Sequence, residues 1–104
     1  MMRSFNFKNT KVGFIGSGNM AEALIKGVIN SGLLKKSNLL ASDIIQRRRV
    51  YIKGKYGVRV TADNKKIVRE SDIIILAVKP QNVKAVLQGI APHFAAKQSR
   101  LGVR

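Results

Sequence analysis

The sequence predicts an α/β fold, a parallel sheet flanked by helices. Three observations carry this. Short apolar runs alternate with helix-patterned segments from Lys11 onward. A Gly-x-Gly-x-x-Ala turn stands between the first apolar run and the first helical pattern. A later run, Ile73-Ile74-Ile75-Leu76-Ala77-Val78, is apolar at every position, as expected of a strand covered on both faces of a parallel sheet.

The elements follow in order. Lys11-Val12-Gly13-Phe14-Ile15 reads as a buried strand closed by the glycine turn. From Asn19 to Ser31, Met20, Ala21, Leu24, Ile25, Val28 and Ile29 recur at helical spacing, and Gly32 stops the helix. Asn38-Leu39-Leu40-Ala41-Ser42 is a second strand. Ile44 to Lys55 is a helix despite the poor helix formers Val50, Tyr51 and Ile52, and Tyr56-Gly57 ends it. Val58-Arg59-Val60 is a brief third strand, and Asp63 to Glu70 a short helix. Pro80 suits the first turn of a last helix, which carries Val83, Val86, Leu87 and Ile90 on one stripe. These elements divide the chain into a loose lead-in over residues 1–10, one domain over 11–92, and an irregular basic tail over 93–104.

Composition bounds the function. At 104 residues with 45% hydrophobic content, the chain is one small globular domain. It has no cysteine, which excludes disulfides and thiolate metal sites and fits a reducing, cytoplasmic setting. No apolar run approaches the length of a membrane span. The single histidine, His93, defines no metal site. Twenty basic residues face five acids, a net charge of +15 that attracts phosphates. The basic residues are scattered without interleaved aromatics or a helix-turn-helix pattern, so no specific nucleic-acid partner is expected.

Gly16-Ser17-Gly18-Asn19-Met20-Ala21 carries the chemistry. Gly16 permits a tight turn out of the strand, Gly18 lets backbone approach a pyrophosphate, and Ala21 lets the helix pack close to the sheet. The first-turn amides of the helix are unpaired and point at the phosphates. In this strand–turn–helix setting the motif reads as a Rossmann-type dinucleotide site. Asp43, after the second strand, is placed to bond the ribose of NAD and to oppose a 2′-phosphate. Arg47, Arg48 and Arg49 just beyond it are placed to neutralise that phosphate, although successive helical residues point about 100° apart and cannot all face it.

The stretch from Val12 to Ala23 around this turn resembles the opening of pyrroline-5-carboxylate reductases. So do Ala41-Ser42-Asp43, Tyr56-Gly57-Val58 and Val60-Thr61-Ala62-Asp63-Asn64. The likeness is strongest from Ser71 to Gln81, which ends in Ala77-Val78-Lys79-Pro80-Gln81, and it covers about residues 11–93. The resemblance implies an NAD(P)-binding domain whose complete enzyme passes a hydride to a cyclic imine and gives proline. It implies pyrophosphate contacts from the turn of Ile15, Gly16, Ser17, Gly18, Asn19 and Met20, with Ala21 completing the cofactor-binding segment, adenosine-ribose contacts near Asp43 and Asn64, and a loop of Ala77, Val78, Lys79 and Pro80 reaching toward the nicotinamide.

NADP is favoured over NAD by the resemblance and the local positive field. No catalytic residue is assigned, and Lys79 is read as shaping its loop while its side chain reaches solvent. A related deazaflavin-dependent NADP oxidoreductase is the nearest variant, against which the Lys79-Pro80-Gln81 and Ala41-Ser42-Asp43 segments speak. A non-catalytic dinucleotide-binding remnant is the alternative outside the enzyme class. Beyond His93 the likeness stops, so the chain reads as an incomplete Rossmann-type fold. It lacks the family's helical C-terminal domain, and with it the imine pocket and most of the dimer contacts. Alone, it is expected to show negligible imine reduction.

Overall fold

The computed structural model describes residues 9–100, so most of the expected lead-in and residues 101–104 of the tail lie outside the described residues. The elements are β1 (Val12–Ile15), α1 (Asn19–Ser31), a 3-10 turn (Lys36–Asn38), β2 (Leu39–Ser42), α2 (Gln46–Tyr56), β3 (Arg59–Thr61), α3 (Asn64–Glu70), β4 (Ile73–Leu76) and α4 (Pro80–Arg100). The four strands form one parallel sheet in the order β3-β2-β1-β4. The chain thus builds outward from β1 in one direction, then returns to place β4 on its other side. That reversal opens a crevice beyond the carboxyl ends of β1 and β4, where α/β sheets hold ligands.

The sheet separates two cores. Val12, Phe14, Leu39 and Ala41 face Ala21 and Ile25 of α1 and Ile52 of α2. Ile15 and Leu40 face Ile67 and Val68 of α3 and Ile90 of α4. The period-2 alternation along β1 and β2 sends successive side chains to opposite cores, which is why both strands are apolar up to Ser42 at the end of β2. Gly32 and Gly57 end α1 and α2 in the left-handed conformation at φ 74° and 72°, as helix-terminating glycines do.

Two expectations need correction. The run from Ile73 meets both cores, Ile75 on one side and Ile74 and Leu76 on the other, but is only partly covered: Ile73 is 40% exposed and the other three residues of β4 are half-buried. β4 is an edge strand here, with β1 as its only neighbour among the described residues. Residues 93–100, expected to be irregular, continue α4 as helix through Pro92. Ala91, Ala95, Ala96 and Lys97 are strong helix formers. The anchor is polar: Lys97 Nζ donates to Val68 O at 2.7 Å and to Ser71 O, satisfying carbonyls at the end of α3. A search for apolar periodicity misses such an anchor.

Glu22 ties α1 to α2. Its carboxylate accepts from Tyr56 Oη (2.5 Å), Tyr51 Oη (2.8 Å), Arg48 (2.7 Å) and Lys55 Nζ (3.4 Å). The Tyr56 and Tyr51 hydroxyls, then the Arg48 and Lys55 charges, outweigh desolvation and hold the carboxyl at about 2, below its ordinary 4.5. Between these values the unfolded chain binds the proton and the folded one does not, so this contribution is whole above about 4.5 and lost as pH falls to about 2. We expect Glu22→Gln to flatten the rise of the urea midpoint across that window. An unchanged slope would remove Glu22 from the account.

Candidate functional site

A cleft of about 510 Å³ lies at the carboxyl end of the sheet. Ile15, Gly16, Ser17 and Gly18 form one wall, Ser42, Asp43, Ile44 and Ile45 a second, and Ala77, Val78 and Lys79 a third. Ala62 and Asn64, with Asn82, Ala85 and Val86 of α4, close it. Of the residues expected at the site, the fold brings Ile15, Gly16, Ser17, Gly18, Asp43, Asn64, Ala77, Val78 and Lys79 into this lining. Asn19, Met20, Ala21 and Pro80 lie outside it. Ala21 is fully buried beneath the turn, and Met20 is exposed.

The glycine turn has a distinct requirement at each position. Gly16 sits at φ +100°, and a Cβ there would stand 2.6 Å from Ala77 O. The turn and the loop after β4 therefore touch through backbone, held by Gly16 N donating to Ser42 O (2.9 Å) and Ala77 N to Ile15 O (2.8 Å). Gly18 is the N-cap of α1 and offers no side-chain cap to the first-turn amides. A Cβ on Gly18 would meet nothing within 4 Å, so the space above it is open. Unpaired amides at the positive end of a 13-residue helix, beneath open space, suit an anion.

Asp43 behaves differently from a free carboxylate. Its Oδ2 accepts from Ser17 N (3.1 Å) and Ser17 Oγ (2.8 Å), and its Oδ1 from Ile45 N (2.9 Å). Partial burial pushes this carboxyl up. The bonds from Ile45 and Ser17, with the Arg48 charge, outweigh that and hold it below the usual carboxylate range. The arginine triplet also resolves. Arg48 Nε donates to Ser17 O while its guanidinium pairs with Glu22 and stacks over Tyr51 at 4.9 Å. Arg49 donates to Asp43 O at 2.7 Å. Arg47 is exposed on the first turn of α2, outside the cleft lining, and its side chain makes no hydrogen bond or ion pair among the described residues.

Ser42 and Ile44 were missed by sequence reasoning. Ser42 Oγ donates to Asn64 Oδ1 at 2.5 Å, fixing the amide at the start of α3. Ile44 stands 88% exposed at the cleft edge. Ile44 was read as the start of the second helix, whereas α2 begins at Gln46 and Ile44 lies in the loop before it. Among the described residues no group of three metal-ligating side chains occurs, and no helix is long and apolar enough to cross a membrane. The five acids all accept hydrogen bonds within the fold, Asp63 from Lys65 N, Glu70 from Arg59 and Asp72 from Lys11 N among them.

Comparison with known proteins agrees with this geometry. The family described as NADP oxidoreductase, coenzyme F420-dependent, matches residues 11–99. A pyrroline-5-carboxylate reductase of Methanosarcina acetivorans is 47% identical over 91 residues, which span 88% of this chain and 34% of that protein. The structure of a pyrroline-5-carboxylate reductase from Coxiella burnetii superposes with a TM-score of 0.77 at 29% identity, over 82% of this chain and 31% of that one. The Plasmodium falciparum pyrroline carboxylate reductase, solved with NADP bound, does so with a TM-score of 0.73 at 32% identity, over 88% of this chain and 32% of that one. The chain thus spans about a third of the length of these relatives. It belongs to the NADP oxidoreductase, coenzyme F420-dependent family, and is similar to about a third of the length of pyrroline-5-carboxylate reductases.

Proposed function

We propose that this domain binds a nicotinamide dinucleotide, NADP(H) in preference to NAD(H). With the rest of a reductase, it serves hydride transfer to the cyclic imine 1-pyrroline-5-carboxylate to give proline. The observation that carries this is the open space above Gly18, bounded by first-turn amides of α1 and by the Gly16–Ala77 backbone contact. The pyrophosphate belongs on the turn of Ile15, Gly16, Ser17, Gly18, Asn19 and Met20, with Ala21 packed beneath it. Adenosine lies toward Asp43 and Asn64, and the nicotinamide along Ala77, Val78, Lys79 and Pro80. When bound, the coenzyme supplies the hydride. The domain's own residues hold and orient it at the end of β4. The imine must be held against it with water excluded.

The preference for NADP(H) rests on Arg47. Arg48 and Arg49 are committed within the fold, so Arg47 is the member of the triplet left to meet a 2′-phosphate beside Ile44 and Ile45. The test is a titration of nicotinamide fluorescence with NADPH and NADH. NADPH should bind more tightly. Arg47→Ala should raise its Kd about tenfold, the equivalent of one charge-assisted contact, and leave NADH within about twofold. Failure to take up either coenzyme at millimolar concentration overturns the reading. Equal affinities that ignore Arg47→Ala overturn the preference alone.

A further inference from the structure

Resting on that coenzyme reading, we propose that Asp43 is a positioning residue for the phosphate turn and not the acceptor of the adenosine ribose hydroxyls. A carboxylate after the second strand of such a sheet ordinarily receives the ribose diol. Here the carboxylate is turned to its own chain. It accepts three hydrogen bonds, two from Ser17 and one from Ile45 N. A carboxylate has about four acceptor directions, so one remains where a diol needs two.

Ser17 is the residue held. It is 1% exposed and lies between the two glycines of the turn. Asp43 engages its N–H and its hydroxyl, and Arg48 Nε engages its carbonyl. Every polar group of Ser17 is thereby fixed by side chains from the β2–α2 segment, and the turn is set before any anion arrives. Such preorganisation benefits all ligands that use the turn, whatever their ribose carries. It also removes a free carboxylate from the place where a 2′-phosphate would meet it.

The two roles separate in a coenzyme comparison. Asp43→Asn keeps an acceptor for Ile45 N but deprives the buried Ser17 amide of its carboxylate. We expect the Kd values for NADPH and NADH to rise together, by about five- to tenfold, with their ratio constant within about twofold. Ser17→Ala removes only the hydroxyl link and should weaken both coenzymes by a smaller common factor. A ribose-acceptor role predicts that Asp43→Asn weakens NADH selectively and spares or improves NADPH, and that result overturns the proposal. So does unchanged binding of both coenzymes in both variants. Thermal midpoints report whether Asp43→Asn is folded, and Ser17→Ala carries the test where it is not. Lack of binding by the unsubstituted chain registers before any variant is made, and strikes the coenzyme reading itself.

Discussion

Replacing Gly16 with alanine should abolish measurable coenzyme binding and lower the thermal midpoint of the domain by roughly 15 °C. Gly16 is held at φ +100°, where a residue with a Cβ is strained by about 1–3 kcal/mol. The added methyl would also stand 2.6 Å from Ala77 O, 3.0 Å from Ala77 C and 3.1 Å from Val78 Cγ1. A backbone oxygen does not yield as the tip of a flexible side chain does. Moving Ala77 breaks its bond to Ile15 O, and moving Gly16 breaks its bond to Ser42 O. Strain and overpacking together amount to about 3 kcal/mol, and a domain of this size loses about 4–8 °C per kcal/mol.

For the ligand, a displaced turn misaims several amides at once, so the NADPH Kd should rise by about a hundredfold or more. Gly18→Ala is the companion. Its Cβ enters empty space, so the loss of stability should stay near the roughly 1 kcal/mol that alanine costs at an N-cap, yet the methyl would occupy the volume that the proposed pyrophosphate needs. The pair separates a glycine needed by the fold from one needed by the ligand. Gly18→Ala binding NADPH as tightly as the unsubstituted chain would count heavily against the phosphate site.

The place of these glycines was legible because their spacing falls after an apolar strand and before an amphipathic helix, which is where a strand-to-helix turn must form. The rest of the site was legible in proportion to how local its causes are. The strand alternation and the helix stops at Gly32 and Gly57 are set by neighbours in sequence, and they emerged within about two residues of their observed bounds. The commitment of Asp43 was hidden, because its partner Ser17 lies 26 residues away and an aspartate after a strand carries no mark of what it will accept. The arginine triplet was half-legible: helical geometry barred all three from one phosphate, but only the packed positions of Ser17, Glu22 and Asp43 decide which are taken. The exposure of β4 was not legible at all. An apolar run states what a strand is suited to, and the sheet order decides what lies beside it.

Gly13 was passed over as one more residue of an apolar strand, and alanine there should destabilise the domain by about 3 kcal/mol. Its φ is unremarkable, so the requirement is space alone. A Cβ at Gly13 would stand 2.2 Å from Ser71 Oγ, 2.7 Å from Ile67 Cγ2 and 3.1 Å from Ser71 Cβ. Ser71 Oγ can turn about its Cα–Cβ bond, but Ile67 Cγ2 and Ser71 Cβ have little room to retreat. Ile67 is fully buried, Ser71 is 3% exposed, and Ser71 is pinned through its N–H to Ile67 O and through its carbonyl to Lys97 Nζ. The missing side chain lets the end of α3 sit directly on β1, and that contact sets how far α3 stands from the sheet. Inserting a methylene-sized group into such packing costs about 1–3 kcal/mol, and the upper end applies where both neighbours are held. Because Gly13 does not line the cleft, the molecules that remain folded should bind NADPH normally. Ser71→Gly introduced together with Gly13→Ala removes two of the three collisions and should return about half of the lost stability, although Ser71→Gly alone destabilises. Denaturant midpoints of the two single variants and the double give the coupling directly, expected to exceed about 1 kcal/mol. Strictly additive effects would mean that α3 is not seated on the bare backbone of β1.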